Sequence, residues 1–271
     1  MIFDASDVLS LIEKIDGLYL SLEKKSDELP EENKGPSGRK FRTLLNELNK
    51  RLPDGIAYLE LGILRGKSIL TSCLANPNTH HIGIDNFSQF DPNGDNYNLI
   101  QDAIALHNIS NIEIIADDFE KYLIERGRNG QRNIGVYFYD AIHDYRSQLF
   151  ALIQAHNVIA DGGIILVDDT NYGHVRYATY DFISAFSEFK LIFESYTGMH
   201  PNEMSSEELS AAREGWWNGV HVIMHDPKNQ LEGLQPVYEE GIHNKFHETL
   251  LLTKARSLNM ERRLASIKFT E

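Results

Sequence analysis

Short apolar runs recur through the middle of this chain and alternate with segments whose apolar positions fall at helical spacing. In order they are "GIAYLEL", "HHIGID", "NIEIIA", "NIGVYFYD", "GGIILVDD", "KLIFESY" and "GVHVIMHD". Their β-rich composition, with apolar residues on both faces, predicts seven strands in a mostly parallel sheet covered by helices on both sides. Before them, residues 6 to 24 and 38 to 51 carry apolar positions at helical spacing, separated by the polar linker "KKSDELPEENKGPSGRK". Between the last two strands lies "TGMHPNEMSSEELSAAREGWWN", residues 197–218, rich in glycine and polar residues and a candidate lid or substrate-facing segment. After Asp226 the pattern turns helical again, with Phe246, Leu250, Leu251, Ala255 and Leu258 on one side. That tail has two destinations, its own domain or a second subunit, so a homo-oligomer through the terminal helices is one expectation. The expected organisation is a helical N-terminal extension (1–54), a Rossmann-like α/β domain (55–226) and a helical C-terminal tail (227–271).

Composition narrows the partners. At 42% hydrophobic and 24% charged, the 271 residues are ordinary for a globular protein. With 26 basic against 40 acidic side chains, the formal charge of −14 repels a polyphosphate backbone, which argues against nucleic acid. Cys73 is the single cysteine, so no internal disulfide forms and a reducing compartment is expected. The N-terminal "MIFDASDVLSLIEKIDG" lacks the features of a signal peptide, and no apolar run approaches the roughly 20 residues that span a bilayer. The expectation is a cytoplasmic protein with no membrane partner.

Candidate chemistry concentrates where strands end. The stretch "YLELGILRGKSI", residues 58–69, runs from a strand through glycines into Gly-Lys-Ser, as a nucleotide P-loop does. It is one residue short, since three residues instead of four separate Gly62 from Gly66. Acids end the first five strands: Glu60, Asp85, Asp117 with Asp118, Asp140, and Asp168 with Asp169. Ligands of open α/β sheets bind at these ends. Each acid alone is also a plausible helix N-cap. "GGIILVDD" suits a magnesium-binding strand of a P-loop enzyme, but Glu60 and Asp85 would set negative charge beside a triphosphate. A dinucleotide-binding dehydrogenase would account for Asp85 but needs a Gly-x-Gly-x-x-Gly turn that this chain lacks.

Glu-x-Gly-x-x-x-Gly on the first strand, with an acid ending the second, resembles the class I S-adenosylmethionine-dependent methyltransferases. This resemblance implies that Gly62 and Gly66 let the backbone approach the amino acid part of the cofactor. It also implies that Glu60 bears on the cofactor's ammonium and that Asp85 takes its ribose hydroxyls. "ADDFEKYL" falls where the family contacts adenine, which brings in Asp117, Asp118 and Phe119; the bland readings are a helix cap and a core aromatic.

"VYFYDAIHDYRSQLFALIQAHNVIADGGIILVDDTNYG" resembles the cation-dependent O-methyltransferases of the catechol and caffeoyl-CoA types and the macrocin O-methyltransferase-like group. The resemblance implies that Asp140, also near the cofactor, holds a divalent cation with Asp168 and Asp169. Oxygen ligands favour magnesium, calcium or manganese over zinc. Where the catechol type places its catalytic lysine, this chain has His143, a residue type suited to accepting a hydroxyl proton as general base. Tyr172, His174, His200, Trp216 and Trp217 are candidates for lining the acceptor pocket; His80 and His81 read as structural. The implied activity is transfer of a methyl group to a hydroxyl of a small molecule, of sugar or natural-product type. With His143, Asp140 is the other expected catalytic residue; a metal-independent methyltransferase of the same fold, in which Asp140 and His143 bind the acceptor directly, and a non-catalytic binding module are the alternatives.

Overall fold

The apolar runs fold into one sheet in the computed structural model, which describes residues 1–18 and 20–238. The N-terminal segment forms helices α1 (Ala5–Glu13), α2 (Leu20–Asp27) and α3 (Arg39–Asn49), with single 3-10 turns at Ile15–Gly17 and Glu31–Asn33. Then β1 (Ala57–Leu61), α4 (Lys67–Ala75), β2 (His80–Ile84), α5 (Asn96–His107), β3 (Ile112–Ile115) and α6 (Phe119–Arg128) alternate. They are followed by β4 (Ile134–Tyr139), α7 (Tyr145–Val158), β5 (Ile159–Asp168), α8 (Gly173–Ala185), β6 (Phe189–Ser195), α9 (Ser206–Glu214) and β7 (Val220–His225).

The strand order is β3-β2-β1-β4-β5-β7-β6. The pairs β1–β2, β2–β3, β1–β4 and β4–β5 are parallel, whereas β7 runs antiparallel to both β5 and β6. Every residue of β1, β4 and β7 is buried, as strands covered on both faces require. From β1 the chain winds outward one way through β2 and β3, then returns to start β4 on the other side. The crevice left by that reversal is where open α/β sheets bind ligands.

Phe41, Leu44, Leu45 and Leu48 of α3 share one buried cluster with Tyr58, Val136 and Phe138 of the sheet, and the Phe41 and Phe138 rings lie 4.7 Å apart. Truncating Phe41 there would leave a cavity of the kind that costs roughly 3–5 kcal/mol. The helical extension is thus part of the sheet's own packing.

Two expectations change. The helix expected over residues 6 to 24 is interrupted at residues 14–18, where Ile15 is buried and Asp16 accepts from Lys40 Nζ (3.0 Å) and Arg39 Nη2 (3.4 Å). Docking onto α3 overrides a continuous periodicity at Gly17, a poor helix former. The 197–218 segment carries a helix of its own: Ser205 and Glu208 form a capping box that starts α9. Residues 227–238 contain no helix, and the helix expected over 244–264 lies outside the described residues.

Candidate active site

A cavity of about 760 Å³ opens at the carboxyl ends of the parallel strands. Its walls come from the loop after β1, from Ile84–Asn86, Asp118–Glu120, Asp140–His143 and the pair Asp168 and Asp169. Tyr172 and Trp217 close one side, and Asn33–Ser37 of the N-terminal linker close another.

Gly62 adopts φ +83°, and a Cβ there would come within 2.2 Å of the Asp140 carbonyl oxygen. Glycine at this point therefore lets the β1 and β4 ends converge; close approach to a ligand is a second demand on the same residue. Asp85 fixes the loop beyond it. One carboxylate oxygen accepts the N–H groups of Ile63 (3.0 Å) and Leu64 (2.9 Å), and the other accepts that of Phe87 (2.8 Å). Gly66, another positive-φ glycine, sits under the loop against Leu70 and Ile100 and caps α4.

Glu60 does not line the cavity; it lies fully buried behind Ser68. Its carboxylate accepts from Tyr58 Oη (2.5 Å), two residues away on the same strand face, and from Ser68 Oγ. Burial pushes its pKa up to about 7 from 4.5, against the two hydroxyl donors that pull it down. A raised carboxyl pKa contributes stability that is complete below pH 4.5 and is lost as pH rises through 7. The difference of about 2.5 units corresponds to roughly 3 kcal/mol. In urea titrations at pH 5 and pH 8, the fall in unfolding free energy of the wild type is expected to exceed that of Glu60→Gln by about 2–3 kcal/mol. Equal pH dependence in the two proteins would show that Glu60 stays ionised when folded.

The second half of the site gathers acids around one histidine. His143 Nε2 lies 3.0 Å from Asp169 Oδ2 and 3.8 Å from Asp140 Oδ1. Asn218 Nδ2 donates to Asp169 Oδ1 (2.9 Å). Burial opposes ionisation of Asp169, but the hydrogen bond and charge of His143 outweigh it and hold its pKa below the ordinary value. Asp168 has the reverse environment. Burial first, then the Asp169 charge, push its pKa well up, and its Oδ1 is buried without a partner among the described residues. Burial, Asp168 and Asp169 likewise raise Asp140. The imidazole of His143 stacks toward Tyr172, whose hydroxyl meets His200 Nε2 at 2.5 Å.

The structure therefore brings Gly62, Asp85, Asp118, Phe119, Asp140, His143, Asp168 and Asp169 to one cavity. Asp117 is turned away into an ion pair with Lys121, and Asp118 caps α6 while its side chain also faces the cavity. His174 donates to the His143 carbonyl and does not line the cavity; Trp217 does, and Trp216 packs on Phe193. Lys67 Nζ donates to the Gly35 carbonyl (2.6 Å) and Ser68 to Glu60, so both residues of the near-miss P-loop hold the protein's own groups. Neither the linker's place at the cavity nor the Asn218 contact has a local sequence signal. The Tyr58–Glu60 pair does, since alternate strand residues share a face.

Residues 59–170 match the family described as a methyltransferase domain. No curated protein matches the sequence at a significant level. Among solved structures, an O-methyltransferase from Bacillus cereus in complex with S-adenosylhomocysteine is similar, with TM-score 0.54 at 13% identity over 82% of this chain and 100% of that one. The O-methyltransferase TomG from Streptomyces achromogenes, in complex with S-adenosylmethionine, has TM-score 0.53 at 14% identity over 76% of this chain and 89% of its own. A cofactor-bound protein from MTB gives 0.52 at 15% identity over 83% and 99%. At these identities the neighbours speak for the fold, and the matched family speaks for the activity. Sheet order, the cavity at the strand ends and the matched segment together show a Rossmann-like fold in which residues 59–170 are similar to a methyltransferase domain.

Proposed function

We propose that the protein transfers the sulfonium methyl group of S-adenosylmethionine to a hydroxyl of a small molecule of sugar or natural-product type, with His143 as general base and a divalent cation assisting. The observation that carries this reading is the environment of His143 at the cavity wall. Its Nε2 faces the Asp169 carboxylate at 3.0 Å, and its Nδ1 has no hydrogen-bond partner among the described residues. Nδ1 is buried, so Nε2, turned to Asp169 and Asp140, is the ring atom that would take the proton and share it with these carboxylates. The acceptor oxygen then attacks the methyl carbon, the carbon–sulfur bond breaks to leave S-adenosylhomocysteine, and the hydroxyl proton passes to His143. Tyr172, whose ring stacks toward His143, and Trp217 both line the cavity and offer faces on which an acceptor ring would stack.

Asp140, Asp168 and Asp169 match a hard cation in donor type and in excess negative charge, and the orphaned Asp168 Oδ1 supports a missing partner. Among the described residues no three His, Cys, Asp or Glu side chains are gathered as a ligand set, and Asp169 is turned to His143 and Asn218 instead. An ion held by Asp140 and Asp168, with Asp169 joining them, would orient the acceptor hydroxyl and lower its pKa. The pairing of Asp169 with His143 favours a second reading, a metal-independent transfer in which this pair acts alone. Titration calorimetry tests the cofactor: heat is expected with S-adenosylmethionine and S-adenosylhomocysteine and none with ATP. Silence with both sulfur nucleosides would overturn the proposal, and ATP binding would restore the P-loop.

A further inference from the structure

Tyr172 lines the cavity just after the Asp168–Asp169 pair, with its ring stacked toward His143 at 6.1 Å between centroids. Its hydroxyl meets His200 Nε2 at 2.5 Å, the single hydrogen-bond partner of that oxygen among the described residues. The other nitrogen of the imidazole decides which of the two donates. His200 Nδ1 accepts the backbone N–H of Asn202 (3.1 Å) as the cap of the 3-10 turn Pro201–Glu203, so Nδ1 carries no hydrogen. A neutral imidazole then holds its hydrogen on Nε2 and donates it to Tyr172 Oη. The hydrogen of the tyrosine hydroxyl is left for another acceptor. Burial first, then the Asp169 charge, raise the Tyr172 pKa above its ordinary value, so the hydroxyl keeps that hydrogen at neutral pH. Accepting one hydrogen bond also strengthens the one it can give.

This contact is fixed by the residue next to Tyr172. Asn171 Oδ1 accepts the Thr197 N–H (3.0 Å), and its Nδ2 donates to the Met199 carbonyl (3.3 Å) and to the Thr197 hydroxyl. The Asn171 backbone N–H donates to the Asn218 carbonyl (3.0 Å). One residue thus clamps both ends of the 197–218 segment, which brings His200 to Tyr172 from one end and Asn218 to Asp169 from the other.

We propose that Tyr172 is a specificity-determining residue that donates its hydroxyl hydrogen to a neutral oxygen of the methyl acceptor, an ether, carbonyl or second hydroxyl, and that His200 is the positioning residue that turns it there. An anionic oxygen would be repelled by the Asp169 carboxylate, which stays ionised nearby. This role rests on the methyl-transfer reading above, which S-adenosylhomocysteine binding checks separately.

Methoxyphenols and ethylphenols are the probes, because a methoxy group matches an ethyl group in size and has an oxygen in place of a carbon. With the full chain saturated by S-adenosylhomocysteine and free of divalent ions, ligand-observed NMR is expected to give at least one methoxyphenol isomer roughly three- to ten-fold tighter binding than the matching ethylphenol. Tyr172→Phe keeps the ring and should erase that preference while S-adenosylhomocysteine affinity stays the same. His200→Leu should lower the preference, and His200→Gln, which keeps an N–H donor, should restore it. Hydroxybenzoates should bind no better than ethylphenols. A preference that survives Tyr172→Phe, its absence in the wild type, a parallel loss of S-adenosylhomocysteine affinity, or failure of all these rings to bind overturns the role of Tyr172. An unchanged preference in His200→Leu overturns that of His200, and tighter binding of hydroxybenzoates overturns the neutral oxygen. If S-adenosylhomocysteine does not bind the wild type, the methyl-transfer reading itself fails.

Discussion

Asp85→Ala is expected to abolish cofactor binding at micromolar concentrations and to lower the melting temperature by about 6–12 °C, taking roughly 3 kcal/mol lost and 2–4 °C per kcal/mol for a unit of this size. The sequence assigns Asp85 to the ribose hydroxyls, whereas in the structure its carboxylate first builds the wall that a ribose would meet. Three backbone N–H groups converge on it, from Ile63, Leu64 and Phe87. Leu64 and Phe87 both adopt positive φ, 49° and 52°. A non-glycine residue in that region is strained by about 1–3 kcal/mol and persists only where its surroundings insist on it. The carboxylate supplies that insistence at both residues. Its two oxygens offer about four lone-pair sites, so with three in use one remains for a ligand hydroxyl. Asp85→Asn separates the two roles. It keeps one accepting oxygen but turns an NH₂ group toward either Phe87 or the Ile63–Leu64 pair, and should fall between wild type and alanine in both affinity and stability. An Asp85→Ala protein that binds S-adenosylhomocysteine normally would show that the loop holds its shape without the carboxylate.

How far the sequence reaches is visible in this same region. Strand positions were legible because apolar runs bounded by turns leave little choice, and all seven predicted runs contain a strand. Most of the acids at their ends were legible too, since period and topology bring Asp85, Asp118, Asp140, Asp168 and Asp169 to one crevice. Partners were not. That Asp85 would be met by three amides depends on the path of a loop, and that Glu60 would be shut behind Ser68 depends on how α4 docks. The capping box at Ser205 and Glu208 was written plainly in "SSEE", but the glycines and polar residues around it suggested an irregular lid. The linker is the clearest case. Its composition shows a loop, and composition carries no information about what a loop covers. Its seat over the cavity follows from Asn33, Lys67 and the bare Cα of Gly38, residues far apart in sequence.

Asp168→Asn and removal of divalent ions by EDTA are each expected to reduce turnover at least about a hundred-fold, the scale of losing charge stabilisation at a reacting centre, while S-adenosylhomocysteine affinity persists. The argument begins with repulsion. Like charges about 4 Å apart repel by roughly 4 kcal/mol at an effective dielectric near 20, and burial adds to the cost. Hence Asp168, with its neighbour Asp169 and an orphaned Oδ1, holds its proton well above the ordinary carboxyl range, as does Asp140. For carboxyls raised in the folded state, stability is present below their unfolded pKa and is lost as pH rises through the folded value. At pH 8 the wild type should therefore gain stability from whatever neutralises this cluster. Magnesium at a hundred times its dissociation constant should add about 2.7 kcal/mol, read as a rise in melting temperature, and should add nothing to Asp168→Asn. His143→Ala separates base from cation. It removes the proton acceptor, so the rate should fall about 10²- to 10⁴-fold, while the magnesium-induced rise in melting temperature remains. Full turnover in EDTA, with no thermal shift from magnesium, would remove the cation and leave the His143–Asp169 pair as the whole apparatus for taking the hydroxyl proton.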